Sequence, residues 1–159
     1  MNVYGQKVYL IDKCAEYVFY SEMIHMELED TRKQILIDCR NNSAFAHRHH
    51  LLHLNHDHAD ADADEIHFCM EIIQLTPHNE SVWNYVWSFD RCWISEGFIE
   101  LVETCLIQDP LNVYALESKL KICNGMDDVF DKLIEADTVR SSYWTWRKKK
   151  HQQQNNISK

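Results

Sequence analysis

The chain has 159 residues, enough for one domain with a substantial hydrophobic core. Its 25 aspartates and glutamates outnumber its 16 lysines and arginines, and the resulting net charge of -9 disfavours a nucleic-acid-binding protein. Only three glycines and two prolines are present, which argues against a turn-rich all-β fold and favours helices.

Nothing at the start of the sequence resembles a secretory signal, and no apolar run approaches the ~20 residues that a membrane-spanning helix needs. The six cysteines include no Cys-x-x-Cys pair and show no regular pairing. We therefore predict a cytoplasmic protein with reduced thiols, each serving as a small core residue.

Helical periodicity dominates the chain from its N-terminal region onward. The stretch from about Lys13 to Asp38 is predicted to form one or two helices, and five later segments repeat apolar residues at helical spacing. Their predicted buried faces are Ile66, Cys69, Met70 and Ile73; Val82, Trp83, Val86 and Trp87; Phe98, Leu101, Val102, Cys105 and Leu106; Leu116, Leu120 and Cys123; and Val129, Phe130, Leu133 and Ile134. The fold is predicted to be all-α.

Proline and asparagine mark the junctions between these helices. Pro77 cannot continue the helix that ends near Leu75, because it has no amide hydrogen and clashes with the preceding turn. Asn79 can cap the next helix through its side-chain oxygen. Residues 109–112 (DPLN) repeat this pattern, and residues 38–41 (DCRN) keep the asparagine but have cysteine in place of proline.

The junctions recur at a repeat-like interval. Asn41, Asn79 and Asn112 are 38 and 33 residues apart, and Phe45, Trp83 and Leu116 each follow four residues later. This period predicts αα-hairpin repeats stacked into a solenoid similar to those of tetratricopeptide repeats. The alternative is an ordinary helical bundle in which the similar junctions arise by chance.

A segment rich in histidine and aspartate, residues 53–65, suggests a metal site. Its potential ligands are His53, His56, His58, Asp60, Asp62, Asp64 and Glu65. Three of the aspartates and Glu71 follow the ligand spacing of an EF-hand, but the position that needs glycine holds Glu65 and helical periodicity begins at Ile66. We therefore predict a mobile, solvated acidic loop without an ordered metal.

Other reactive or aromatic residues receive structural interpretations. His47, His49 and His50 flank Arg48, and this cluster could contact an anion such as diphosphate. Consecutive residues point around a helix, however, so Arg48 is predicted to pair with a neighbouring helix or a partner subunit. The five tryptophans are predicted to be core residues. The basic run at 147–150 is interpreted as a solvated end. No catalytic, cofactor-binding or metal-binding residue is assigned.

Three segments resemble the protein prenyltransferase alpha-subunit repeat family. They are RNNSAFAHR (40–48), EIHFCMEIIQLTPHNESVWNY (65–85) and DTVRSSYWTWR (137–147), and they are most similar to the C-terminal half of the alpha subunit shared by protein farnesyltransferase and geranylgeranyltransferase type I. The residues with the repeat signature are Asn41, Ser43, Phe45, Arg48, Pro77, Asn79, Ser81, Trp83, Pro110, Asn112, Tyr143 and Trp144. The match is diverged, with Phe45 standing where tryptophan is usual.

The resemblance implies an alpha-type subunit that wraps a catalytic beta subunit. Such a heterodimer transfers a farnesyl or geranylgeranyl group from its diphosphate to a cysteine near the C-terminus of a CaaX-motif protein. Zinc would belong to the beta subunit and magnesium to the complex, with neither bound by this chain. The family's diphosphate-side lysine lies in earlier repeats, which the N-terminal stretch does not match, so the chain alone is expected to be inactive.

The predicted organisation has three parts. Residues 1–26 form an unmatched helical segment, residues 27–147 form the prenyltransferase alpha-type repeats, and residues 148–159 form a disordered polar tail. Two alternatives remain for function: a non-enzymatic helical-repeat scaffold that binds another protein, and an inactive diverged paralogue.

Overall fold

A computed structural model describes residues 3–54, 59–123 and 126–157, with the side chains of 3–18, 59–62, 91 and 155–157 left out of the description. The helices are α1 Val3–Ile37, α2 Asn42–Leu54, α3 Ala59–Leu75, α4 Glu80–Val86, α5 Glu96–Gln108, α6 Val113–Ile122, α7 Asp127–Ala136 and α8 Ser141–Ile157, with a 3-10 helix Asp90–Ile94 before α5. These residues contain no strand, which confirms the all-α prediction. None of the described helices is long and apolar enough to cross a bilayer.

The chain divides into two compact units, Met1–Ala61 and Asp62–Lys159. In the first unit, α2 packs against α1. Ile24 and Ile35 of α1 are buried, as are Phe45 and Leu51 of α2. Burial of these apolar side chains between the two helices stabilises the pair.

The second unit contains three successive helix pairs, α3 with α4, α5 with α6, and α7 with α8. Helix α5 packs against α6, α6 against α7, and α7 against α8. In the first of these pairs, the Tyr85 hydroxyl donates a 2.7 Å hydrogen bond to the buried carboxylate of Glu65. Contacts between neighbours along the chain are what a hairpin-repeat architecture requires.

The core of the second unit confirms most of the predicted helix faces. Its largest fully buried side chains include Trp83, Phe98 and Leu116. The last two pairs share a cluster formed by Leu116, Leu120, Val129, Phe130, Leu133 and Trp144. Cys123 is an exception to the prediction, because α6 ends at Ile122 and leaves this thiol exposed.

The acidic segment differs from the predicted loop. Helix α3 begins at Ala59, so residues 59–65 of the predicted mobile loop are helical. Alanine is the strongest helix former, and aspartates near a helix N-terminus are favoured by the helix dipole, which explains why the ADADAD sequence starts a helix. His56 and His58 lie outside the described residues, and of Asp60 and Asp62 only the backbone is described.

The C-terminal segment also differs from the prediction of a disordered tail at 148–159, because α8 continues to Ile157. Its second half packs against α7 through side chains. Lys148 forms a 2.7 Å ion pair with Asp131, Gln152 donates to Asp127 at 3.1 Å, and the His151 ring lies 5.9 Å from that of Phe130. Composition alone predicted disorder, and these tertiary contacts order the segment.

We expect removal of residues 148–159 to destabilise the second unit. The truncation deletes the contacts of Lys148, His151 and Gln152 with α7, and we expect a loss of roughly 1–2 kcal/mol in the free energy of unfolding. All five tryptophans lie in this unit, so urea unfolding followed by tryptophan fluorescence reports on it selectively. The Lys149→Ala variant, altered at an exposed position, is the control. Unfolding identical to that of the intact chain would contradict a packed α8.

Candidate functional site

The described part of the chain forms four helix pairs, and one turn joins the two helices of each pair. The turns comprise residues 38–41, 76–79, 109–112 and 137–140, four residues in each case. The first position is aspartate in three turns and threonine in the second, and the last position is asparagine in the first three turns. Asn41, Asn79 and Asn112 therefore occupy the same place in successive hairpins, as the sequence spacing predicted.

Each asparagine caps the helix that follows it. The Oδ1 atoms of Asn41, Asn79 and Asn112 each accept a 3.1 Å hydrogen bond from a backbone amide in the first helical turn. Asn79 and Asn112 are buried while they do so. Helix N-termini have amides without intrahelical partners, so a buried cap of this kind stabilises both the helix start and the turn.

The carbonyl oxygen of Pro77 joins two of these turns. It accepts one hydrogen bond from the indole Nε1 of Trp83 at 2.9 Å and another from Nδ2 of Asn112 at 3.0 Å. On the same side, His78 Nε2 lies 3.3 Å from Asp109 Oδ2. One carbonyl therefore fixes the tryptophan of its own hairpin and the capping asparagine of the next.

A large buried side chain follows each turn. Phe45, Trp83, Leu116 and Trp144 stand at the same position after the four turns and are each at most 2 % exposed. The Trp83 ring is stacked on Tyr114 of the next pair, with centroids 6.3 Å apart, and meets Phe98 edge-on at 6.1 Å. This residue fills the space between consecutive hairpins.

The fourth turn also holds a buried tryptophan by a hydrogen bond, but it uses different residues. Arg140 replaces the asparagine, and the carboxylate of Asp137 accepts hydrogen bonds from the Trp144 indole at 2.8 Å, the Arg140 amide at 3.1 Å and the Arg140 guanidinium. Sequence reasoning did not align this turn with the others because the asparagine is absent. The position of Trp144, four residues after Arg140, is the signal that could have identified it.

Arg48 extends from α2 to α1 within the first unit. It is buried, and its Nη1 atom donates to the backbone carbonyl of Leu28 and to the hydroxyl of Thr31, the latter at 3.3 Å. Both acceptors lie on the neighbouring helix. This geometry agrees with the predicted structural role of Arg48.

Two segments match the protein prenyltransferase alpha subunit repeat, residues 24–54 and 62–89. Both segments are therefore similar to that repeat. The first match covers the end of α1 with α2, and the second covers most of α3 with α4, so each repeat is one helix, one turn and a second helix.

The remaining residues of the predicted repeat signature lie nearer the surface. Ser43 and Pro110 are exposed, and Ser81 is half-buried with its amide bonded to Asn79. Tyr143 is 45 % exposed and contacts Trp144 edge-on, with ring centroids 4.8 Å apart. The signature thus combines capping asparagines and buried apolar side chains with residues that are exposed to solvent.

The described side chains do not gather into a metal site. Among residues whose side chains are described, no group of three or more histidine, cysteine, aspartate and glutamate side chains is placed to hold an ion. Glu65, one of the potential ligands in the sequence, accepts the hydrogen bond from Tyr85 described above. His47 and His49 face different groups, since His47 lies 4.0 Å from Glu27 while the His49 ring contacts His53.

The buried cysteines are unsuited to nucleophilic chemistry. Burial raises the pKa of Cys92 to about 12, against a smaller lowering by Lys121, and burial also raises the pKa of Cys105. A thiolate is the reactive form, so both thiols stay protonated near neutral pH. Cys69 is buried as well, which fits the predicted role of a small core residue, whereas Cys39 is half-buried.

The five tryptophans differ in how deeply they are buried. Trp83 and Trp144 are fully buried, as predicted, and Trp87 is half-buried with its indole donating to Ser118 at 2.9 Å. Trp93 is half-buried, and Trp146 is 57 % exposed. The prediction that all five are core residues was wrong for Trp146, because two residues correspond to about 200° of helix rotation and place it on the side of α8 opposite to the buried Trp144.

We expect Asn112→Ala to destabilise the second unit by about 2 kcal/mol, since it removes both a helix cap and the hydrogen bond to Pro77. Asn112→Ser keeps a capping oxygen but loses the Nδ2 donor, so its loss should be about half as large. Urea unfolding followed by tryptophan fluorescence measures both variants. Equal losses in the two variants would show that the bond to Pro77 contributes nothing.

The Asp137 carboxylate should make stability pH-dependent. Burial opposes its ionisation, but hydrogen bonds from the Trp144 indole and from the amide and guanidinium of Arg140 together lower its pKa below the ordinary value. A lowered carboxyl pKa stabilises the folded state above the unfolded-state value, near 3.9, and this contribution is lost as pH falls through the folded-state pKa. Asp137→Asn should therefore lower the urea midpoint at pH 6, with the difference from wild type narrowing below about pH 4. A difference that stays constant with pH would contradict this role.

Proposed function

We propose that this chain is the alpha-type subunit of a heterodimeric prenyltransferase that transfers a farnesyl or geranylgeranyl group to the C-terminal cysteine of CaaX-motif proteins. The observation that carries the proposal is the pair of matched prenyltransferase alpha subunit repeats at 24–54 and 62–89. Two further helix pairs, α5 with α6 and α7 with α8, follow with turns of the same length. The chain's role is to support the catalytic beta subunit in the cytoplasm.

The turn edge of the second unit offers a surface for that partner. Three apolar side chains in or next to its turns face solvent: Leu75 is 83 % exposed, Ile107 is 81 % exposed and Val139 is 94 % exposed. The first two of these turns are joined through Pro77 and Asn112, and the third is joined to α6 because Arg140 lies 3.9 Å from Glu117. We define these three residues as the turn-edge surface. Apolar side chains this exposed gain free energy when a partner covers them.

The chemistry of the proposed complex resides outside the described residues of this chain. The buried thiols of Cys92 and Cys105 have raised pKa values, which disfavours them as thiolate ligands. In the proposal, zinc belongs to the beta subunit and magnesium to the complex. Isoprenoid diphosphate and CaaX-motif proteins bind through the heterodimer.

Co-expression tests this proposal. With the beta subunit of protein farnesyltransferase or of geranylgeranyltransferase type I, we expect a heterodimer that survives gel filtration. Replacing Leu75, Ile107 and Val139 by glutamate should weaken the heterodimer at least tenfold, because three buried charges would be left without partners. Binding can be measured by titrating one labelled subunit with the other.

Ile94→Glu is the matched control. Ile94 is 77 % exposed and apolar but lies at the end of the 3-10 helix and not at a turn within a pair. This variant should bind like the wild type. Two folded proteins that elute separately with both beta subunits would overturn the proposed function and leave a different protein-binding scaffold as the explanation.

A further inference from the structure

A groove runs along α8 on the second unit. It has a volume of about 630 Å³ and lies between α8, the 3-10 helix, α6 and α7. We call it the α8 groove and define it by Trp93, Lys121, Tyr143, Trp146, Arg147 and Lys150. None of these residues belongs to the turn-edge surface.

Aromatic rings hold the cations of the α8 groove in place. The Lys121 Nζ atom lies 4.6 Å from the ring centroids of both Trp87 and Trp93. The Arg147 guanidinium carbon lies 5.8 Å from the Tyr143 centroid, and Lys150 Nζ lies 5.2 Å from that of Trp146. Cation–π contacts of this kind orient a charged group without neutralising it.

The three cations keep their positive charge available. Among the described side chains, no carboxylate lies within ion-pair distance of Lys121, Arg147 or Lys150. The carboxylate of Glu117 pairs instead with Arg140, at 3.9 Å. Burial lowers the pKa of Lys121, and the positive charge of Arg147 lowers it further. The negative charge of Glu117 acts in the opposite direction and raises it. An incoming anion would relieve this repulsion.

The length of the α8 groove favours a peptide over a small anion. Its lining residues from α8 recur at positions 143, 146, 147, 150, 151 and 154, which is one face of the helix over three turns. At 1.5 Å per residue this face is about 16 Å long. An extended chain rises about 3.3 Å per residue, so roughly five residues would span the groove.

We propose that the α8 groove binds an acidic peptide segment with aromatic side chains, contributed by a partner protein. Carboxylates of the segment would pair with Lys121, Arg147 and Lys150, and its aromatic rings would pack against Trp93 and Trp146. The chain as a whole has a charge of -9, so this groove is a local reversal of sign. Complementary charge selects an acidic partner, and aromatic contacts supply affinity. The proposal does not depend on the heterodimer.

Fluorescence anisotropy on the full chain alone tests this proposal. The probe is a fluorescein-labelled octapeptide of glutamates and phenylalanines, and the comparison peptide has glutamine in place of glutamate. We expect the acidic probe to bind at low ionic strength and to weaken as salt screens the charges. The glutamine peptide should bind at least tenfold more weakly.

Matched variants locate the site. Combined Lys121→Ala and Arg147→Ala substitutions should weaken acidic-probe binding about tenfold. Trp146→Ala, altered at an exposed side chain that need not affect folding, should weaken it severalfold. Lys149→Ala removes one positive charge from an exposed position on α8 outside the groove and should leave binding unchanged.

Three outcomes would overturn the inference. Equal weakening by Lys149→Ala would show nonspecific attraction to the basic helix. Equal binding of the glutamine peptide would show that charge does not select the ligand. Displacement of the probe by inorganic diphosphate at the same concentration as by unlabelled peptide would assign the groove to a small anion.

Discussion

The double hydrogen bond to the Pro77 carbonyl is the constraint on which the packing of the second unit depends. The proline ends α3 and exposes its carbonyl, because the helix cannot continue through a residue without an amide hydrogen. The Trp83 indole and the Asn112 amide then both donate to this one oxygen. The direction of α4 and the start of α6 are thereby tied to the end of α3, so one turn sets the spacing of two hairpins.

The other turns show which part of this arrangement is essential. In the fourth turn, Asp137 and Arg140 replace the asparagine cap, yet Asp137 still accepts the indole hydrogen bond of Trp144. The second and fourth turns therefore share a buried tryptophan whose indole N–H is bonded, although their caps differ. In a repeat protein each hairpin packs mainly on its neighbours, so a local substitution of this kind leaves the rest of the stack intact.

The two surfaces proposed to bind partners lie outside the buried contacts of the turns. The turn-edge surface is apolar and the α8 groove is basic and aromatic, and the two share no residue. The same residue types serve both purposes: Trp144 fills the core, whereas Trp146, two positions later, is exposed on the opposite side of α8. The buried contacts of the fold and the two proposed binding surfaces therefore involve different side chains of the same helices.

The sequence by itself determined the all-α class, the apolar faces, three of the four turns and the resemblance to prenyltransferase alpha subunits. These features are local, since helical periodicity and the Pro-x-Asn junctions are expressed within a few residues. Tertiary structure decided that Arg48 bonds the backbone of α1, that Glu65 accepts from Tyr85, and that α8 continues to Ile157. It also brought Lys121 beside Trp93 in the α8 groove. Each of these depends on which distant helix lies alongside, and periodicity within one helix does not encode its neighbour.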